Sequence, residues 1–360
     1  MVFRKRKKNA RSQIELREVL RGCEAGRLQS VGYMQVIPLV LGDENVDLSD
    51  DRFVSPMQCD AAVYTTSYGT LGFRNSSAST MIVPCHAGYV VKQHAQDHAM
   101  AHAGVVAAAG DRRYDTAMCI QAAQGGLIAK GAYRMLILPH ALREKAIEKR
   151  ATKDFRKLWD DISTFNESMG VAGKGHLEYF LKAFKKELDE FVAEFESVPN
   201  QIGAIILIDD RVVGVERAPS FAYWQSIWPS LIRECYGSLA IEASKAGGDR
   251  SPDRSPRVQL PLQIESLDEL ESLIAEIARQ EDERARSTVR VLLDEPLTLV
   301  REEEVADKKA RVDVTIETAE SEHFTGQVIR DGETIVYASL PATQLFVKTQ
   351  KWSRAEPFAI

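Results

Sequence analysis

No segment of this sequence approaches the roughly 20 consecutive apolar residues that a membrane-spanning helix needs. No apolar stretch follows its basic start, so a secretory signal is not expected. No Cys-x-x-Cys pair occurs either: Cys23, Cys59, Cys85, Cys119 and Cys235 are odd in number and widely scattered. This excludes a zinc ribbon, argues against a disulfide framework and suits reduced thiols in the cytosol. The phosphate-binding GxxxxGK loop, the GxGxxG turn and the HExxH zinc motif are all missing. A net charge of −6 gives no reason to expect a nucleic-acid binder over the whole chain.

What is present is ordinary globular composition, 44% apolar and 27% charged, over 360 residues. That length suggests more than one core. Arg4, Lys5, Arg6, Lys7, Lys8 and Arg11 crowd the start. Such a tail either touches nucleic acid or an anionic surface, or is a solvated start that aids solubility, and the lack of aromatic interleaving beyond Phe3 favours solvation.

From Met34 the pattern turns to strands: Met34 to Leu41, Ala61 to Tyr64, Gly69 to Phe73, Ser79 to Pro84, Ala117 to Ala122 and Tyr133 to Leu138. No strand-helix-strand rhythm appears, so a mainly antiparallel sheet is expected. Leu142 to Phe165 reads as helical, and Leu177 to Phe195 reads as one long amphipathic helix. Ile202 to Ile208 and Val212 to Val215 form a hairpin through Asp209-Asp210, with the first strand central; a last helix spans about Phe221 to Ala243. Residues 244–257, rich in Gly, Ser, Pro and charge, read as a linker. Beyond it, Val258 to Ile264 reads as a strand, Ser266 and Glu269 as a capping box opening a helix, and Thr288 to Leu293 as another strand. Val312 to Ile316 alternates, and Asp331-Gly332 joins Gly326 to Arg330 with Thr334 to Ala338 in a hairpin. The expectation is therefore α+β: a mainly antiparallel sheet packed with long amphipathic helices, plus a smaller C-terminal α+β module. The divisions are a tail and lead-in at 1–33, a domain at 34–243, a linker at 244–257, a module at 258–345 and a tail at 346–360.

Several short features recur in one order: Ile37-Pro38-Leu39, Met81 to Pro84 leading to Gly88 and Lys92-Gln93, then Met118-Cys119-Ile120-Gln121 followed by Gln124-Gly125. Leu142-Arg143, Trp159, Gly203-Ala204-Ile205, Val215-Glu216, Leu231 and Tyr236 complete the series. Over roughly 34–243 this resembles the ARPP-type domain, the ADP-ribosylglycohydrolase- and rhodanese-phosphatase-associated protein domain. The resemblance implies links to ADP-ribose and phosphate chemistry and no settled activity. Gln121 stands where the family pattern has Glu, and Gly126-Leu127 replaces its Arg-Trp, which implies a different or absent activity if those positions are functional.

Within Lys92 to His102, a helix would put His94, His98 and His102 on one face. Two imidazoles four residues apart can reach one divalent metal, with Asp97 or His86 closing its shell; the plainer reading is a polar helix face. Cys119 is a candidate nucleophile or an inert packed thiol. Lys92, Gln93, Cys119, Gln121, Glu216 and Arg217 are candidate ligand-binding residues, with Glu216-Arg217 at the end of a buried strand, where they line a pocket or form a turn salt bridge. Three functions follow: an accessory or ligand-sensing protein of a bacterial conflict or stress system, binding a nucleotide or ADP-ribose-like ligand; a metal-dependent hydrolase built on His94 and His98; or a structural, oligomer-forming protein. Partners would engage the C-terminal module, as a second copy or another protein, and nucleic acid would meet only the basic tail.

Overall fold

The computed structural model describes residues 11–42, 50–59, 61–91, 96–122, 125–126, 128, 133–247 and 266–349. At its centre lies the strand Gln201–Ile208, with all eight residues buried. Its apolar run lacks polar alternation, as a strand covered on both faces should. It pairs antiparallel with Met34–Leu41 and with Arg211–Arg217. The turn between hairpin strands uses Asp209 and Asp210 at φ 54° and 59°, a left-handed conformation that Asp tolerates better than most residues.

From Arg211–Arg217 the sheet continues through Thr334–Pro341, Thr325–Asp331, Val312–Glu320 and Pro296–Asp307 to Arg11–Glu15 at one edge. Cys23–Ala25 and Gln29–Val31 both pair with the outer side of Met34–Leu41, making ten strands. The antiparallel expectation holds for this sheet. The segments 1–33, 34–243 and 258–345 all contribute strands. The chain on either side of 244–257 is joined where Gly214 to Arg217 pair with Pro341 to Ala338. Arg11, grouped by sequence with the basic tail, is a strand residue opposite Val300. The strand expected at Val258 to Ile264 lies outside the described residues.

The expectation of long helices needs correcting. The stripe from Leu177 to Phe195 forms two helices, Leu177–Ala183 and Lys185–Glu194, with Phe184 serving as the C-cap of one and the N-cap of the other. The break lets Phe180, Leu181 and Leu188 enter one core. Leu142 to Phe165 likewise divides into His140–Glu148 and Trp159–Ser168. The last helix of the first part is interrupted: Phe221–Ser230 contains Pro229, a π-helical turn occupies Leu231–Tyr236, and Gly237–Gly247 resumes the α-helix. Proline lacks the N–H of a regular turn, so local rearrangement is expected beside it. Thr288 to Leu293 is not a strand, because the 24-residue helix Leu267–Arg290, which places Ala285 and Val289 inward one turn apart, ends within it and a turn follows. Ser266 Oγ caps that helix by accepting the Glu269 N–H at 3.1 Å.

Two apolar layers cover the large sheet. Val36, Ala204, Ile206, Val213 and Ile329 face a core shared with Phe73, Tyr89, Trp224 and Trp228. Leu39, Ile205, Leu207, Val215 and Leu340 face the other, closed by Leu16, Val19, Ala285 and Val289. On the first side lie three small sheets. One is four-stranded, in the order Met118–Cys119, His98–Ala99, Ala87–Val91, Tyr133–Ile137, and carries much of the chemistry described next.

Candidate functional site

The structure gathers polar side chains into two centres. In the first, the helix His140–Glu148 starts just after the strand Tyr133–Ile137 and sends Arg143 into the interior, fully buried. Its Nη1 donates to Glu216 Oε1 at 2.8 Å and to Cys235 Sγ at 3.3 Å. Nη2 donates to Ser339 Oγ, and Nε donates to His86 Nδ1 at 3.2 Å. Tyr236 Oη donates to the same Glu216 oxygen at 2.6 Å. The π-helical turn brings Cys235 and Tyr236 to this point consecutively. His86 sits at φ +62°, a left-handed conformation that a non-glycine residue keeps only when its surroundings enforce it.

Electrostatically, this centre is saturated. Burial opposes the Arg143 charge, yet the facing Glu216 carboxylate, with Cys235 and Tyr236, holds its pKa well above the usual value. Burial, reinforced by Arg143, pushes the His86 imidazole well below its ordinary value. Burial also raises the Cys85 and Cys235 thiols to about 12 each, despite Arg143. This is a buried ion pair with its hydrogen bonds made, the arrangement in which such a pair is tolerated.

The second centre surrounds Cys119. Its Sγ lies 3.2 Å from Gln121 O and 3.4 Å from Gln121 N. Burial raises this thiol to about 11, with Asp97 contributing in the same direction and the Trp159 indole against it. A thiol held there is almost wholly protonated at neutral pH and is a poor nucleophile. Gln121 Nε2 donates to Glu178 Oε2 at 3.2 Å, and the other Glu178 oxygen pairs with Lys182 at 2.8 Å. Gln96 Nε2 reaches Gln121 O at 3.5 Å. Gly175 lets the neighbouring loop close in: it has φ +65°, and a Cβ there would stand 2.8 Å from that of Ala122. Its carbonyl accepts the Ala122 N–H at 2.9 Å, beside a bridge from Gln121 to His176.

The sequence candidates fall as follows. Lys92, Gln93 and His94 lie outside the described residues. The helical reading of the histidine segment does not hold, since His98 and Ala99 form a short strand. His98 Nδ1 donates to Gln96 O at 2.8 Å and Nε2 accepts the Gly69 N–H at 3.3 Å. His102 Nδ1 donates to Ala103 O at 2.6 Å, and Nε2 meets Thr116 Oγ1 at 3.4 Å. Both imidazoles thus have protein partners at both nitrogens, and burial lowers both pKa values. Among the described residues no group of three His, Cys, Asp or Glu side chains is placed to hold a metal ion. Asp97, Cys119 and Gln121 meet in the second centre, whereas Glu216 belongs to the first. Arg217 binds the Val19 and Arg21 carbonyls through Nη1 at 2.7 and 2.8 Å. The sequence offers His86 as a metal ligand, Cys85 as a reduced thiol and Cys235 as an inward helix residue, and carries no local signal that marks Gln96 or Glu178 as site residues. Glu178 was hidden on the polar face of an amphipathic helix.

The resemblance features converge on these centres: Arg143, Glu216 and Tyr236 in the first, Cys119, Gln121 and Trp159 in the second. No helix among the described residues is long and apolar enough to cross a membrane. No curated protein and no solved structure matches the chain. A family model does match, described as ARPP-1, the ARG and Rhodanese-Phosphatase-superfamily-associated Protein domain; it spans residues 22–340 and therefore both centres. The chain belongs to the ARPP-1 family.

Proposed function

We propose that this ARPP-1 protein is an accessory protein of a cytoplasmic bacterial conflict or stress system. It works beside the ADP-ribosylglycohydrolase and rhodanese-phosphatase proteins named in its family description, and binds a nucleotide or ADP-ribose-like ligand without transforming it. One observation supports this reading: the reactive side chains gathered at both centres are consumed by the fold. The Cys85, Cys119 and Cys235 thiols are pushed to about 11 or 12. The His86 and His98 imidazoles are held neutral by burial, and Arg143 is bonded through all three nitrogens. Binding needs complementary donors and acceptors, whereas nucleophilic catalysis needs an activated group. A thermal-shift screen with nucleotides and ADP-ribose tests the ligand, and a turnover assay on ADP-ribosylated and phosphorylated substrates tests the chemistry. Expected are a rise in melting temperature and no turnover; turnover abolished by Cys119→Ala would sink the reading.

A second role has its own observation. On the helix Leu267–Arg290, Leu267 and Ile274 are 77% and 56% exposed, two turns apart on one face. Exposed leucine and isoleucine aligned on a helix suit contact with another protein or a second copy. We predict that Leu267→Glu with Ile274→Glu leaves the melting temperature within about 2 °C while removing any self-association seen by light scattering.

A further inference from the structure

The helix Leu267–Arg290 presents one face along its whole length. Leu267, Glu271, Ile274, Ala278, Ala285 and Val289 recur at intervals of three, four and seven residues, so their side chains point to the same side. Where that face meets the sheet it is core: Ala285 and Val289 are 0% and 9% exposed. Ile274 and Leu267, about 16 and 27 Å along the axis from Ala285, are 56% and 77% exposed. Away from the core contact the helix is held by its own side chains. Ser266 caps it, Arg279 pairs with Glu276 at 2.7 Å and Glu283 at 3.5 Å, and Arg286 pairs with Asp282 at 2.6 Å.

Charge decides what fits there. From Leu267 to Ala278 the helix carries Asp268, Glu269, Glu271 and Glu276 and no cation. Asp268 and Glu269 suit a helix N-terminus, which favours negative charge in its first turn. Glu271 has another setting: it is exposed and stands between Leu267 and Ile274 on the apolar face. A second copy is therefore a poor occupant. Antiparallel pairing that sets Leu267 on Ile274 of the other copy puts the two-fold axis between Leu270 and Glu271, and parallel pairing sets each residue opposite itself. Both bring the two Glu271 carboxylates together in the middle of the contact, where like charges are costly. The same carboxylates repel nucleic acid and anionic lipid. An apolar stripe with a cation at its middle complements this face on both counts.

We propose that this face docks an amphipathic helix of another protein carrying Lys or Arg between two apolar residues, the cation meeting Glu271 while the apolar pair covers Leu267 and Ile274. This rests on the contact role proposed above for the same helix and names its partner's chemistry. Fluorescence anisotropy on the full chain tests it with two labelled synthetic helices. One has two leucines seven residues apart with a lysine between them, and the other has glutamate in place of that lysine. The lysine peptide is expected to bind at least about tenfold more tightly than the glutamate peptide at low ionic strength. Glu271→Lys should reverse that order, and Leu267→Gln with Ile274→Gln should weaken the lysine peptide about tenfold or more. Equal binding of the two peptides, a Glu271→Lys chain that keeps the original order, or a double variant that still holds the lysine peptide overturns the proposal. Self-association of the wild-type chain that the double variant loses also overturns it, since a second copy then takes the face, but leaves the contact role standing. If neither peptide binds and the chain does not self-associate, both fall.

Discussion

Arg143 shows how much one residue can organise. Its guanidinium ties the helix His140–Glu148 to Glu216 and Ser339 of the large sheet and to Cys235 of the π-helical turn. Replacing it by Met leaves Glu216 buried without its partner, which costs about 3–5 kcal/mol. Urea unfolding should show that loss, and Arg143→Met combined with Glu216→Met should recover part of it, because an apolar pair needs no counter-charge. A single-variant loss below about 1 kcal/mol would contradict this account. The buried histidines set a pH dependence of definite sign. His86, His98, His102 and His140 all have lowered pKa values, chiefly through burial, His140 to about 3. Below the ordinary value of 6.5 the unfolded chain binds protons that these imidazoles refuse, so folding stability falls as pH drops through that window. Each contributes up to about 1.4 kcal/mol per pH unit, while Glu234 and Glu317, both raised by burial, act in the opposite direction. The urea midpoint should fall steeply between pH 7 and pH 5, and a flat midpoint would refute the assignment. At this scale the sequence was partly legible. Arg143, Glu216 and Tyr236 each belong to the resemblance, but long stretches of chain separate them and no local pattern says that they touch.

Among the elements, the hairpin from Gln201 to Arg217 was read from its apolar run and its Asp-Asp turn, because a strand covered on both faces leaves no other pattern. The strand Pro296–Asp307 was missed, since Arg301, Glu302, Glu303 and Glu304 look like a solvated run. The fold instead pairs Glu302 with Arg150, Glu303 with Arg112 and Glu304 with Arg301. The helix breaks at Phe184 and after Pro229 were hidden by apolar periodicity that continues straight through them. One element depends on an absent side chain: a Cβ on Gly214 would overlap the Tyr236 ring, which reaches Glu216 from the π-helical turn. Gly214→Ala should therefore cost about 1–3 kcal/mol by overpacking. It should also perturb Tyr236 fluorescence, whereas Gly332→Ala, which meets nothing within 4 Å, should lose only what its φ of +58° demands.

Across the whole molecule, the ten-stranded sheet makes the chain on both sides of 244–257 one hydrogen-bonded body. Unfolding should be a single transition, with tryptophan fluorescence and far-ultraviolet dichroism coinciding. A fragment ending at residue 247 would bare the edge of Arg211–Arg217, which Thr334–Pro341 now covers, and should aggregate rather than fold. Two separate transitions, or a monomeric folded fragment, would show that the halves stand alone. The edge strand Arg11–Glu15 carries a further meaning. Its partner is Pro296 to Val300, so this strand must wait for a segment synthesised long after it before it can pair. Until then its binding groove does not exist, and a chain whose synthesis stalls between the two carries an unclaimed strand, ready to pair with a neighbour.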